Sequence, residues 1–427
     1  MTGTRTAGPA TWVAFAGCLV LSVVGLALRG APWAGEWGWT LDVAADTTTL
    51  TAPVVATFAA WISYRWRGVR SIVDSSARGY LLPLDATATS SAVGLASLAL
   101  AVVGGVAYSL ATGTVGGPVP IVQFVPAVLI LGVCAAAGAL AGILVPHLLV
   151  IAICPFVTFV IASLGFAGIG PKLLRVGAST GGLGGVALRN GFVAAQVVGL
   201  LGLVALLVLL LLVTKRFPFP RAVLAVALGA SVLALAAGSV GLLRDGERYV
   251  PSAESATACR RPSTGPTICS LPSHVRARDE VAPTLVRFVE RLRAHGFDVP
   301  AAYSEPPLMP RGSVRDRGTL GLKNSSVELV GGDRAAALAA DAAAQPAQCA
   351  FWSGEVPPPE EAYVATMLLA DWIAVDAGYE VVAWSEQSQR WLDDRSVDKV
   401  GWAKTTYEAL QACDVEGIRL PAGVGTR

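Results

Sequence analysis

Charged residues are scarce in this chain. Of its 427 residues, 15% are Asp, Glu, Lys or Arg, whereas 54% are hydrophobic, and the mean hydropathy is +0.59. An average soluble domain is about 25% charged, so the composition argues against a cytosolic enzyme built from two ordinary domains. Lys and Arg are also not clustered in the way that nucleic-acid binding requires, so no nucleic-acid partner is expected.

Several motifs that carry chemistry are missing as well. There is no Gly-x-x-x-x-Gly-Lys-Ser/Thr loop, so the chain lacks the usual cradle for ATP phosphates. A His-Glu-x-x-His helix is also missing, which excludes the common type of membrane metalloprotease. The predicted spans contain no charged residue, and this disfavours a proton-coupled transporter built on buried carboxylates. The sequence therefore predicts neither an enzyme nor a bound cofactor or metal.

One weak catalytic match is present at 177–181, where Gly-Ala-Ser-Thr-Gly fits the Gly-x-Ser-x-Gly elbow. That elbow needs a preceding strand, a following helix and a histidine within reach. His147, the only histidine in the apolar half, is expected at the opposite membrane face. We interpret the match as a flexible Gly-rich loop.

The charges that do occur divide the chain into two parts. Residues 1–244 hold 13 Lys and Arg against 5 Asp and Glu, while residues 245–427 hold 19 against 25. This contrast predicts a transmembrane domain over 1–244 and a soluble domain over 245–427. The second part is long enough to bury a core of its own.

Uncharged stretches of about 20 residues, the length that a spanning helix needs, recur through the first part. We predict an α-helical bundle of about seven transmembrane helices, the first of them an uncleaved signal anchor. A re-entrant segment within 132–167 would change this count. The predicted helices are 11–28, 48–64, 89–111, 122–144, 148–167, 192–213 and 222–243.

Basic residues in short loops indicate the cytoplasmic side of a membrane protein. The basic loops at 65–78 and 215–221 place the N-terminus inside and the domain 245–427 outside the cell. The loop after the first helix carries Glu36, Asp42 and Asp46 against a single Arg29, which fits an outward loop.

One loop disagrees with this orientation. Lys172, Arg175 and Arg189 lie between the fifth and sixth predicted helices, on the predicted outer side.

The segment Tyr64–Pro83 is predicted to form an amphipathic helix on the cytoplasmic membrane surface. One interpretation is that this helix anchors the chain to anionic lipid through arginine and indole groups. The alternative is that it docks a cytoplasmic partner. The candidate docking residues are Arg65, Trp66, Arg67, Arg70 and Arg78.

The seven cysteines fall into two groups. Cys18, Cys134 and Cys154 lie in predicted helices, and the other four lie in the second part. An even number of cysteines in an outer domain favours disulfides, with spacing that favours Cys259–Cys269 and Cys349–Cys413. Zinc binding and free thiols are the rival interpretations.

The second part is predicted to be a small, mainly helical α+β domain. Helices are expected at 279–296, 359–378, 385–391 and 397–413, and strands at 326–330 and 379–384. Its tryptophans either line a ligand groove or pack in the core. These are Trp352, Trp372, Trp384, Trp391 and Trp402.

Three stretches resemble a known family: the run 61–73, the Leu-Val-Pro-His corner at 144–147 followed by Pro155, and the outer stretch 259–272. Together they resemble the ABC-2-type permease-like integral membrane proteins of high-GC actinobacteria, which end in an extracytoplasmic domain. In that family the second outer cysteine is often followed closely by His-Pro. Here Ser270 and Leu271 precede Pro272. The resemblance implies a membrane subunit that works with a separate ATPase, and it identifies no substrate.

Two functions therefore compete. The first is a permease-like subunit of an ABC exporter, acting as a homodimer or with a related permease, with its ATPase docked near Arg65–Arg78. The second is a non-transporting sensor or assembly factor whose outer domain binds a ligand or a protein.

Overall fold

The fold is taken from a computed structural model of the chain, which describes most of the residues. The described residues are 8–28, 33, 36–66, 82–111, 119, 121–145, 147–167, 169–177, 186–214, 220–251, 258–305, 317–322, 328–329, 334–349, 359–383 and 385–424.

Two compact units make up the described part of the chain. With the exception of Val186, the residues up to Val250 form the first unit, and those from Pro251 onward form the second. The division thus falls a few residues after the predicted boundary at 244. Residues 245–250 stay with the first unit because Arg248 and Tyr249 bind within it, as described below.

The first unit is a helical bundle. All seven segments predicted as helices are helical, and a short additional helix, α2, follows the first. The helices are α1 Pro9–Leu28, α2 Trp37–Asp46, α3 Thr48–Arg65, α4 Leu82–Ala111, α5 Phe124–Leu144, α6 Leu149–Phe166, α7 Asn190–Thr214 and α8 Arg221–Asp245. Strands β1 Val186–Leu188 and β2 Tyr249–Pro251 pair at the edge of this unit.

Helix α4 starts at Leu82 rather than at the predicted residue 89. The prediction excluded this first part because Asp85 is charged. In the structure Pro83 and Asp85 occupy the first turn, where proline costs no hydrogen bond and an acidic side chain favours the positive end of the helix dipole.

Five helices of the described residues are long and apolar enough to cross a membrane: α1, α4, α5 with its preceding 3₁₀ turn Ile121–Gln123, α7 and α8. The two others predicted to span, α3 and α6, each have 18 residues. Helix α3 is the less apolar of these two, since it contains four threonines and ends on Arg65. Length and composition therefore support five spans rather than the full seven.

The bundle is held together where two backbones meet closely. A Cβ atom added to Gly138 or to Gly142 of α5 would overlap the carbonyl oxygens of Ala56 and Ala60 of α3. Glycines also bring α7 against α8, because a Cβ on Gly238 would overlap the backbone of Gly199. In lipid, where no hydrophobic force drives helices together, small residues permit this close packing.

Consecutive long helices of the bundle run in alternating directions. We call the end where α3 finishes and α4 starts the Arg65 end. The opposite end, where α1, α4, α6 and α8 finish, we call the Asp42 end. At the Asp42 end the hydroxyls of Thr40 in α2 and Ser109 in α4 are 3.0 Å apart and hydrogen-bonded.

The second unit combines five helices with two small sheets in its described residues. Its helices are α9 Val275–Ala294, α10 Arg334–Ala343, α11 Glu360–Asp376, α12 Glu386–Asp393 and α13 Lys399–Gln411. The larger sheet has the order β3 Ala258–Arg260, β4 Thr267–Ser270, β5 Ala302–Ser304 and β6 Arg317–Thr319, antiparallel between β3 and β4 and parallel elsewhere. The smaller sheet pairs β7 Glu328–Leu329 with β8 Val381–Val382.

The predicted helices of this unit are confirmed. The strands predicted at 326–330 and 379–384 are present at 328–329 and 381–382, and residues 326, 327, 330 and 384 lie outside the described residues. Helix α10 and the four-stranded sheet were not predicted. All five helices of this unit and its larger sheet contribute to the core, in which Phe288, Leu285 and Tyr303 are fully buried. The alanines of α10 are also buried, except for the half-buried Ala335, and their small side chains let that helix lie close to α9.

Replacing Gly138 with alanine should destabilise the bundle. The new methyl group would overlap the Ala56 carbonyl oxygen, and overpacking of this kind costs about 1–3 kcal/mol. Gly104 of α4 is the matched control, since a Cβ there meets nothing within 4 Å. Thermal unfolding of the detergent-solubilised chain should show a lower midpoint for Gly138→Ala and no loss for Gly104→Ala. Equal midpoints for the two variants would contradict the close packing of α5 against α3.

Candidate functional site

Both predicted disulfides are present in the second unit. Cys259 and Cys269 face each other across β3 and β4, and Cys349 is bonded to Cys413 across a separation of 64 residues. The zinc and free-thiol interpretations therefore do not apply to these four residues. Cys18, Cys134 and Cys154 are free and lie in α1, α5 and α6.

The predicted docking surface is described only at its start. Arg65 is the last residue of α3, and Trp66 caps that helix. Arg65 is exposed, and its guanidinium carbon lies 4.8 Å from the centre of the Trp61 ring. Arg67, Arg70 and Arg78 lie outside the described residues, so their place on a surface helix stays a prediction.

A buried ionic cluster lies at the Asp42 end of the bundle. We call Asp42, Arg248 and Tyr249 the Asp42 cluster. The Tyr249 hydroxyl donates to Oδ1 of Asp42 at 2.5 Å, and the guanidinium of Arg248 lies 3.6 Å from the same oxygen. Asp42 and Arg248 are 0% and 4% exposed. Burial, and then the negative charge of Asp42, raises the pKa of the Tyr249 hydroxyl far above its usual value.

The Asp42 cluster links α2 to the chain that leaves α8. Arg248 also donates to the carbonyl of Arg175 at 3.2 Å. Gly177, with φ of +67°, passes so close to α2 that a Cβ would meet Asp46 and the Asp42 carbonyl. These contacts fix α2, the segment 175–177 and the start of β2 to one another.

Two of the cations that disagreed with the predicted orientation are bound at the end of α8. Lys172 donates to the Gly246 carbonyl at 2.8 Å, and Arg189 donates to the Asp245 carbonyl. The last carbonyls of a helix lack partners within the helix and carry partial negative charge, which basic side chains stabilise. Both residues thus have a structural role that accounts for basic charge in this loop.

The sequence-based interpretation of the loop after the first helix was wrong in one respect. This segment was treated as a loop, yet 37–46 form a helix, and Glu36 and Asp42 are buried. The side of the membrane on which it lies stays a prediction. This helix has only 10 residues and contains two acidic residues, so the uncharged stretches of about 20 residues that predict membrane spans do not reveal it. Its signal was the Trp-Gly-Trp-Thr-Leu run, which is too apolar for an exposed loop.

Gly177 is the described residue of the Gly-x-Ser-x-Gly match. Gly177 lies at the Asp42 end, while His147 lies beside the start of α6 at the Arg65 end. The other residues of the match, 178–181, lie outside the described residues. The positive φ of Gly177 and its close approach to α2 explain why a glycine occupies this position.

The tryptophans described in the second unit pack in its core. Trp372 stacks on Phe297 with ring centres 5.9 Å apart, and Trp391 meets Trp402 edge-on at 4.9 Å. This arrangement favours the core interpretation over a ligand groove. Trp352 and Trp384 lie outside the described residues.

Two buried acidic residues of the second unit differ in their surroundings. The carboxylate of Glu305 lies 2.8 Å from Nδ1 of His274 and accepts a hydrogen bond from the Leu271 amide at 2.7 Å. Asp371 is 3% exposed and has no hydrogen-bond or ion-pair partner among the described residues. Burial raises its pKa to about 7.

An apolar groove runs along the side of the bundle between α1, α3 and α6. It encloses about 820 Å³ and is lined by Val13, Pro53, Thr57, Trp61, Pro155 and Phe159, among others. The one hydroxyl among these, that of Thr57, is already bonded to the Pro53 carbonyl at 2.6 Å. The surface that the groove offers is therefore almost entirely apolar.

No family model, no curated protein and no solved structure matches this chain.

Replacing Asp42 with alanine should destabilise the first unit strongly. The change leaves the Arg248 guanidinium buried without its carboxylate, and breaking a buried ion pair costs about 3–5 kcal/mol. Tyr249→Phe removes one hydrogen bond to the same carboxylate and should cost about 1.5–3 kcal/mol.

The control for this cluster is Arg244→Gln, because Arg244 is an exposed cation near the end of α8. Unfolding midpoints of the purified chain should fall in the order Arg244→Gln, Tyr249→Phe, Asp42→Ala. An Asp42→Ala midpoint equal to that of the control would contradict the role of the cluster.

The stability of the second unit should depend on pH through Asp371. Its pKa is about 7 when folded against a reference value of 3.8, so the folded state retains a proton that the unfolded chain releases. The free energy of unfolding should therefore fall as pH rises from about 4 to about 7 and change little above that.

Asp371→Asn should remove this slope and raise stability at pH 8, by at most about 4 kcal/mol. Pulse proteolysis of the full chain across this pH range measures the effect. Asp393→Asn, at an exposed residue of α12, is the control and should keep the slope. A slope unchanged by Asp371→Asn would show that another group causes it.

Proposed function

We propose that this chain is the permease-like membrane subunit of an ABC-type export system and that a separate cytoplasmic ATPase supplies its energy. The proposal assigns the chain no catalytic residue, metal or cofactor. Its partners are the lipid bilayer, the ATPase and a second permease copy or a related permease. It needs no nucleic acid.

In this proposal all seven long helices cross the membrane. An odd number of spans puts the two ends of the bundle's chain on opposite sides, with the N-terminus in the cytoplasm and the domain 245–427 outside. The two disulfides support the outer location, since disulfides persist in oxidising compartments and are rare in the cytosol.

The observation that carries the proposal is the different use of basic residues at the two ends. At the Asp42 end, Lys172, Arg189 and Arg248 are bound by the chain's own carbonyls and by Asp42, whereas Arg244 is exposed. At the Arg65 end, Arg65 and Arg221 are exposed and have no acidic partner among the described residues. Basic residues that a fold does not use internally are available to a cytoplasmic partner or to lipid.

The basic sequence continues past Arg65 through Arg67, Arg70 and Arg78. Arginine pairs with carboxylates through a planar, bidentate contact that lysine cannot reproduce. These three arginines are therefore the proposed contacts for acidic residues of the ATPase. Arg65 adjoins them but already lies over the Trp61 ring of its own helix.

The alternative, a non-transporting sensor or assembly factor, has one observation in its favour. The Asp42 cluster fixes a buried helix of the bundle to the segment that leads out of α8. A change in that segment would thus reach the bundle directly, as a sensor requires. A P-loop ATPase encoded beside this chain favours transport, and its absence favours the sensor.

Changing Arg67, Arg70 and Arg78 to lysine tests the docking surface. The triple variant keeps the charge that anionic lipid recognises but loses bidentate pairing. We expect normal membrane insertion and reduced co-purification of the ATPase from native membranes. Arg244→Lys, at the opposite end, is the control and should not affect recovery.

Unchanged recovery of the ATPase in the triple variant would overturn the docking surface. Failure to recover any ATPase with the unmodified chain would favour the sensor.

A further inference from the structure

The apolar groove between α1, α3 and α6 has the length of a single membrane leaflet. On α3 its lining extends from Leu50 to Trp61, and on α1 from Ala10 to Leu21. At 1.5 Å per residue, each distance is about 16 Å. Half of a hydrocarbon core of about 30 Å is about 15 Å. A helix from a second copy would need a groove about twice as long.

The groove opens on the side of the bundle that lipid contacts. Val13 of α1 and Phe156 of α6, both of which line it, are 72% and 69% exposed. Nearly all of the surface that the groove presents is apolar. Its length and its apolar lining both suit an acyl chain.

A cation lies at one end of the groove. Trp61 is a lining residue at the Arg65 end, and the exposed guanidinium of Arg65 lies over its ring. Trp12 and Trp66 lie at the same end, in the first turns of α1 and beside the last turn of α3. Tryptophan is typical of the headgroup level of a bilayer, so Arg65 lies where a lipid phosphate would be.

We propose that the groove is a binding site for one anionic phospholipid, whose acyl chain fills the space between α1, α3 and α6 and whose phosphate pairs with Arg65. The lipid belongs to the leaflet at the Arg65 end. Charge complementarity at Arg65 and the one-leaflet length of the groove select this occupant. The site does not depend on whether the chain transports a substrate.

Native mass spectrometry of the delipidated full chain tests the site directly. The chain is titrated with phosphatidylglycerol and, separately, with the zwitterionic phosphatidylcholine. We expect one phosphatidylglycerol to bind in preference to phosphatidylcholine. Arg65→Gln should weaken phosphatidylglycerol binding by about fivefold, as expected for the loss of one basic residue near an anionic lipid.

Two pairs of variants separate the site from general effects. Arg221→Gln removes another exposed cation of the Arg65 end, on a helix that contributes no lining residue, and should leave binding unchanged. Val13→Trp fills the groove and should lower phosphatidylglycerol occupancy. Val20→Trp places the same side chain at an exposed position of α1 outside the lining and should not.

Equal binding of the two lipids, or unchanged binding by Arg65→Gln and Val13→Trp, would overturn the proposal. A dimer that forms through the groove and excludes lipid would overturn it as well. Retained size-exclusion behaviour shows in each case that the variant is folded.

Discussion

The close contact between α3 and α5 is the constraint on which the bundle depends. Without side chains at Gly138 and Gly142, α5 lies against the Ala56 and Ala60 carbonyls of α3. The two backbones are therefore in direct contact. In lipid no hydrophobic force drives helices together, so van der Waals packing at this contact holds the pair. This contact makes α3 a central helix although it is less apolar than its neighbours. A different face of α3 forms a wall of the lateral groove.

Charge is used differently at the two ends of this bundle. At the Asp42 end, basic residues neutralise a buried carboxylate and the last carbonyls of α8. At the Arg65 end, Arg65 and Arg221 are exposed, and Arg65 lies over the Trp61 ring. A count of basic residues does not distinguish those that are bound within the fold from those that are exposed. Lys172 and Arg189 therefore argue against the proposed orientation when counted, but not when their hydrogen bonds are considered.

Much of the fold could be predicted because bilayer length and helical periodicity leave strong signals. The seven long helices and four helices of the second unit follow from such signals, and both disulfides follow from the number and spacing of the cysteines. Helix α10 was missed although alanine, its main residue, is the best helix former. Strands β3 to β6 are only 3–4 residues long, which is too short for a clear alternating pattern. The Asp42 cluster joins residues more than 200 positions apart, so no local pattern could reveal it.

The central claim is that the Arg65 end faces the cytoplasm and the disulfide-bonded domain lies outside. Fusing reporter enzymes to the C-terminus of the full chain tests it most directly. Alkaline phosphatase folds in an oxidising compartment, and green fluorescent protein fluoresces after export only poorly. The account predicts an active phosphatase fusion and a dark fluorescent fusion. An inactive phosphatase with a bright fluorescent fusion would contradict it.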